Sequence, residues 1–211
     1  MVAMRGFAVV LLGALALFAA GCGNTKKAAP PPAKPAAPAC AHPLGWQKLA
    51  NRIKAAVYCP GWLPDPLTGQ IGSVDNNIAS VSKDRSYLES WVWQGTDLGG
   101  TSGELHVNLR GYPGVHAVPN CTTGGSKSEN RVVKCFANPI GTYEANGIKA
   151  TIDTVNQDAD QWHVAMVWKA NGGLYTISEH VAPPLTTAKV ITYLKREVRN
   201  LVLIRPASAA T

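Results

Sequence analysis

Between residues 131 and 180 polar and apolar side chains alternate with a period of two, and the alternation is interrupted twice by the dipeptide Asn-Gly, at Asn146-Gly147 and Asn171-Gly172. A period of two sends successive side chains to opposite faces of an extended strand. Asn-Gly supplies the left-handed backbone angles of the tight turn that reverses such a strand on itself. The segment therefore predicts a meander of antiparallel strands, near residues 131–137, 140–145, 148–155, 161–169 and 173–180. In 161–169 the residues Trp162, Val164, Met166 and Trp168 share one face and His163, Ala165, Val167 and Lys169 the other, and the first is read as the inward face. Upstream, weaker alternation predicts strands near residues 69–74, 78–82, 86–94 and 103–110.

Helical spacing occurs at both ends of this region. Trp46, Leu49, Ile53 and Val57 recur at intervals of three and four, with Gln47, Lys48, Asn51, Arg52 and Lys54 between them, which predicts an amphipathic helix ended by Cys59-Pro60-Gly61. After Pro183-Pro184, Thr186 or Thr187 can cap a second helix running to about Leu203, with Val190, Ile191, Leu194, Val198 and Leu201 as its apolar stripe. A helix, many strands and a closing helix imply an α+β domain, a curved antiparallel sheet with an N-terminal and a C-terminal helix packed on one face. Aliphatic and aromatic residues form 46% of the chain and charged residues 16%, a composition that can build one core.

The first forty residues read differently. Met1 to Arg5 carries one positive charge, and Gly6 to Ala20 is an unbroken apolar run ending in small side chains. That is the layout of a secretory signal, and the run is too short for a spanning helix, which needs roughly 18 residues or more. Its end, Ala19-Ala20-Gly21-Cys22, resembles the lipobox of bacterial lipoproteins, although Ala19 stands where Leu is usual. The resemblance implies cleavage before Cys22 and attachment of lipid to that cysteine. From Gly23 to Ala39 the chain is mostly Ala, Pro, Lys and Gly, a composition that favours an extended spacer. The organisation read from this is a signal peptide over 1–21, a tether over 22–39 and a single extracytoplasmic domain over 40–211.

With Cys22 assigned to lipid, the other four of the five cysteines, Cys40, Cys59, Cys121 and Cys135, form an even set suited to disulfides in an oxidising compartment. Three connectivities are open. The pairing of nearest neighbours would fasten the first helix and close the polar stretch between Cys121 and Cys135. The formal charge of +7 belongs largely to the leader and tether: Arg5, Lys26, Lys27 and Lys34 all precede residue 40, which leaves sixteen cations against thirteen acids in the domain. A domain so nearly balanced, with no basic stripe interleaved with aromatics, does not read as a nucleic-acid binder.

No catalytic, cofactor-binding or metal-ligating set stands out. Gly100-Thr101-Ser102-Gly103-Glu104 lacks the second glycine of a nucleophile elbow and reads as a hairpin tip. Gly124 to Ser128 has serine where a phosphate loop needs glycine. Asn156, Asp158 and Asp160 alternate as calcium ligands do, without the glycine and closing glutamate of that loop. The five histidines, His42, His106, His116, His163 and His180, include no pair at helical ligand spacing, so any site they form must assemble in space. Tyr87, Trp91 and Trp93 fall on one strand face: exposed they would be a stacking platform for glycan or peptide, and buried they would fill an interior short of phenylalanine. The stretches AVYCPGWLPDPL and DQWHVAMVWKANGGLYTISEHV, with the closing helix, resemble exported bacterial domains found in lipoproteins and envelope-sensing proteins. The function expected is that of a lipid-anchored binding or accessory protein of the bacterial cell envelope, held to the membrane and taking a protein, glycan or lipid partner. The alternatives are an envelope hydrolase built around His106, His163 or His180, and a structural or sensory subunit.

Overall fold

The computed structural model describes residues 36–70, 81–98, 101–122, 132–156 and 162–208. Helix α1 spans Pro43–Ile53, its proline in the first turn where no amide partner is lost, and its face of Trp46, Leu49, Ala50 and Ile53 is buried. It stops short of the predicted end. Lys54 takes a left-handed conformation and its amide returns to the Ala50 carbonyl, closing the helix. Val57, placed by its spacing on the helical stripe, instead begins strand β1, Val57–Pro60.

Strand β1 pairs antiparallel with β10, Leu201–Ile204, which joins the two ends of the domain. The same pairing shortens the second helix: α2 spans Thr187–Arg199, not the expected run to Leu203. Thr186 caps it, accepting from the Lys189 amide, and the Asn200 side chain donates to the Arg196 carbonyl at the far end. Leu201 is buried as its place in the stripe predicts, but from a strand.

The main sheet has six strands in the order β2-β3-β9-β8-β7-β6, all antiparallel: β2 Tyr87–Leu98, β3 Thr101–Pro113, β6 Pro139–Ala145, β7 Ile148–Asn156, β8 Trp162–Ala170 and β9 Gly173–His180. The fold is thus mostly open antiparallel sheet with two helices, of class α+β. Asn146-Gly147 and Asn171-Gly172 both have positive φ at both positions, the angles of the predicted turns. The expected strand at 131–137 contracts to β5, Val132–Lys134, paired with the short β4, Asn120–Thr122. Of the strands expected at 69–74 and 78–82, residues 71–80 lie outside the described residues, Leu67–Gln70 is a single 3-10 turn, and Val81 makes one isolated bridge to Tyr87.

One core cluster joins Trp46, Leu49 and Ile53 of α1, Val190, Leu194 and Val198 of α2, and one sheet face that includes Trp91, Leu105, Leu109, Met166, Trp168 and Ile177. Val164, Met166 and Trp168 therefore point inward as read. Their neighbours do not all face water: Ala165, Val167 and Leu174 form a second, smaller buried cluster with Tyr112, Val115 and Phe136 packed on it. The segment after β3 lies across part of the second sheet face, which a period of two cannot reveal.

Cys40 and Cys59 are bridged, with Cα atoms 5.6 Å apart. Cys135 is also disulfide-bonded, and the backbone sets Cys121 opposite Val133, two residues away. Cys22 lies outside the described residues, and among those described no helix is long and apolar enough to cross a membrane.

Candidate functional site

The aromatic face of β2 is not a platform. Tyr87 is 3% exposed and Trp91 1%, and Trp93 is half-buried against the same cluster. The ladder sets Trp91 beside Val107 and Trp93 beside Leu105, so the odd-numbered residues of β2 share the face that the core covers. The Tyr87 ring meets Trp46 edge-on and its hydroxyl lies 3.4 Å from the Tyr58 amide, which donates to it. Tyr87 and Trp91 thus fill the interior, and neither is open to a ligand.

The opposite face carries the polar chemistry. His163 and His180 are direct partners across β8 and β9, and their rings stack with centroids 4.9 Å apart and planes 20° from parallel. Because β3 lies on the other side of β9, His106 joins the same row, its ring 6.3 Å from His163 and edge-on to it. Glu104, two residues back on β3, binds the row together: its Oε1 is 3.4 Å from His180 Nδ1 and 3.5 Å from His106 Nδ1, while its Oε2 accepts from the Gln94 side chain at 3.2 Å. The side chains of His180, His106 and Glu104 keep 16%, 28% and 29% of their exposure, so the row is mostly covered but still reached by solvent. His42 and His116 are exposed and stand apart from it.

A second polar row lies one step along the strands. The Ser90 hydroxyl donates to the Asn108 side-chain Oδ1, and Ser178 and Ala165 continue the row to Asp153. Asp153 is buried with Oδ1 unpartnered among the described residues, and loss of hydration pushes its carboxyl above the ordinary range. In the first row His163 is pushed the other way. Burial, followed by the neighbouring His180 and His106, lowers it to about 4 against the opposing pull of Glu104, so it is a neutral imidazole at neutral pH.

Such a row can donate and accept hydrogen bonds along a ligand laid across three strands and can exchange protons with it. Among the described residues no ring nitrogen of the three is hydrogen-bonded to a hydroxyl or thiol, the contact on which a nucleophilic triad depends. Nor does any group of three His, Cys, Asp or Glu side chains among them have the arrangement to hold a metal ion. Asp158, Asp160 and the stretch 124–128 lie outside the described residues, and Asn156 ends β7. Comparison with family models, with curated proteins and with solved structures finds no match for this chain.

The spacing of residues missed Glu104, read as part of a hairpin tip. Part of the cluster was nevertheless accessible, because a two-residue turn at Asn171-Gly172 sets Ala170 opposite Gly173 and so His163 opposite His180.

Proposed function

We propose that this chain is a lipid-anchored, extracytoplasmic binding or accessory protein of the bacterial cell envelope, and that its ligand lies on the row of His106, His163, His180 and Glu104. The apolar leader ending at Cys22 supports the address, and the Cys40–Cys59 bridge fits a compartment where thiols oxidise. In this reading both helices cover one face of a curved sheet, as their shared core residues suggest, and the other face is left for recognition.

The observation that carries the proposal is the meeting of His106 of β3 and His180 of β9 on the Glu104 carboxylate, with His163 of β8 stacked on His180, partly exposed and on the sheet face away from the main core. A cluster of this kind costs hydration without adding apolar burial, and exposed groups with such costs are more often retained for recognition than for stability. The partner expected is polar, a glycan or peptide portion of the envelope able to bond with neutral imidazole.

The test is a titration of the protein with soluble cell-wall fragments, followed by the imidazole proton resonances. His106, His163 and His180 should shift together while His42 and His116 stay in place. Fragments that move none of the three, or only the outlying two, defeat the proposal. The envelope-hydrolase reading draws on the same His-carboxylate contacts, and mass analysis of the titrated fragments for cleavage separates it from binding alone.

A further inference from the structure

The solvent side of α2 has a composition that helix stability does not explain. Its cations are Lys189, Lys195, Arg196 and Arg199, and its one acid, Glu197, is buried. At about 100° per residue the four cations span an arc of about 120° that lies opposite the buried Val190, Leu194, Glu197 and Val198. Arg196 and Arg199 sit in the last turn, where the helix dipole favours positive charge. Lys189 sits in the first turn, where the dipole opposes it and no acid is present to compensate.

Aromatic rings border the arc on both sides. On one, Arg196 lies 4.1 Å over the half-buried Trp62 and Lys189 lies 4.9 Å from the centre of Tyr193, which itself meets Trp62 edge-on. On the other, Lys195 lies 5.7 Å over Tyr143 and Arg199 donates to the Tyr143 hydroxyl at 3.1 Å. Glu144, next to Tyr143, is matched by Lys149 at 3.5 Å. Tryptophan and tyrosine beside lysine and arginine form the amphipathic surface that suits the boundary between lipid headgroups and acyl chains.

The chain's entry into the domain is at the same place. The Gly61 amide donates to the Asn200 carbonyl at the end of α2, and a Cβ on Gly61 would stand 2.8 Å from that oxygen and 2.7 Å from the carbonyl oxygen of Ala39. Only glycine permits this approach, so Ala39, the cationic end of α2 and Trp62 are held as neighbours. We infer that the outer face of α2, bordered by Trp62 and Tyr143, docks on the anionic headgroups of the bilayer that carries the anchor. This rests on the lipoprotein reading above, since acylated Cys22 would lead into the domain beside this face. The anchor supplies proximity, and the cations orient the domain with α2 toward the lipid. The histidine row, on the other sheet face, then remains available to a partner.

The experiment uses the processed chain from residue 22 with Cys22→Ser, so that no acyl group contributes, sedimented with vesicles of phosphatidylcholine alone or mixed in equal parts with phosphatidylglycerol. Binding is expected only to the mixed vesicles, weakening as salt rises, and falling about fivefold for each cation neutralised in Lys189→Gln, Lys195→Gln, Arg196→Gln and Arg199→Gln. Lys149→Gln and Lys169→Gln should leave it unchanged, and tryptophan circular dichroism verifies that every variant is folded. Failure to bind the mixed vesicles overturns the inference, as does binding that survives all four substitutions or retention by soluble polyphosphate without any by vesicles. The mass of residue 22 in native protein is read separately. An acylated Cys22 with no vesicle binding sinks the docking face alone, whereas an unmodified Cys22 with binding intact sinks the anchor and upholds the face.

Discussion

Glu179 of β9 and Glu197 of α2 are both wholly shut off from solvent and close enough to repel one another, and neither carboxylate has a hydrogen-bond partner among the described residues. Burial, and for Glu179 the presence of Glu197, pushes both groups far above the ordinary carboxylate range. Each is therefore a neutral acid at neutral pH, held between helix and sheet. Glu89 of β2 behaves alike, raised by burial to about 8.

A folded-state value above the unfolded one means that the native chain holds the proton longer, so the stability contributed by these carboxyls is full below about pH 4.5 and is lost as pH rises through the folded values. Glu197→Gln keeps the shape, removes one titration and relieves Glu179 of its neighbour. It should raise stability at pH 8 by about 1–2 kcal/mol and flatten the alkaline decline. Urea midpoints at pH 5, 7 and 8.5 measure this, and an unchanged pH slope would mean that the pair does not repel in the native state.

His163 works in the opposite direction. Its value is depressed from 6.5 to about 4, so the stability it contributes is present above pH 6.5 and lost as pH falls toward 4. His163→Phe retains a ring to stack on His180 and removes the titration, and should reduce the loss of stability across that window. Glu104→Gln withdraws the one neighbour that favours the charged ring and should drive His163 lower still, which proton resonances recorded against pH would detect.

Removing the Cys40–Cys59 bridge opens a loop with a sequence separation of 19 residues. Cys40→Ser with Cys59→Ser should cost about 3 kcal/mol by the chain-entropy relation, and Cys59, being fully buried, adds the expense of a hydroxyl there. Thermal melts of the oxidised protein and the double variant test it. Equal midpoints would show that β1 and β10 hold the ends together without the bridge.

Trp91 and Trp93 occupy the same strand face at different depths. Trp91→Ala should cost about 3–5 kcal/mol, the range for an emptied aromatic site, whereas half-buried Trp93→Ala should cost clearly less. Similar losses at the two positions in denaturant titrations would contradict the depth assigned to Trp91.

Much of the sheet was legible because its cause is local. The angles at Asn146-Gly147 and Asn171-Gly172 reverse the chain within two residues and thereby set the register of β6 on β7 and of β8 on β9, including His163 on His180. The stripes of Trp46, Leu49 and Ile53 and of Val190, Leu194 and Val198 identified the buried faces of both helices, since helical spacing is also a local property.

What the order of residues alone determined was therefore the existence of these strands and helices and the faces they bury. Which elements become neighbours was decided by the tertiary structure. Val57 and Leu201 fit a helical stripe, yet both leave it because pairing β1 with β10 satisfies backbone groups at the two ends of the domain while keeping both side chains buried. Similarly, only the placement of β3 against β9 brings Glu104 and His106 to His180. Distant strands choose one another by the burial and hydrogen bonding summed over the whole fold, and no short stretch of sequence contains that sum.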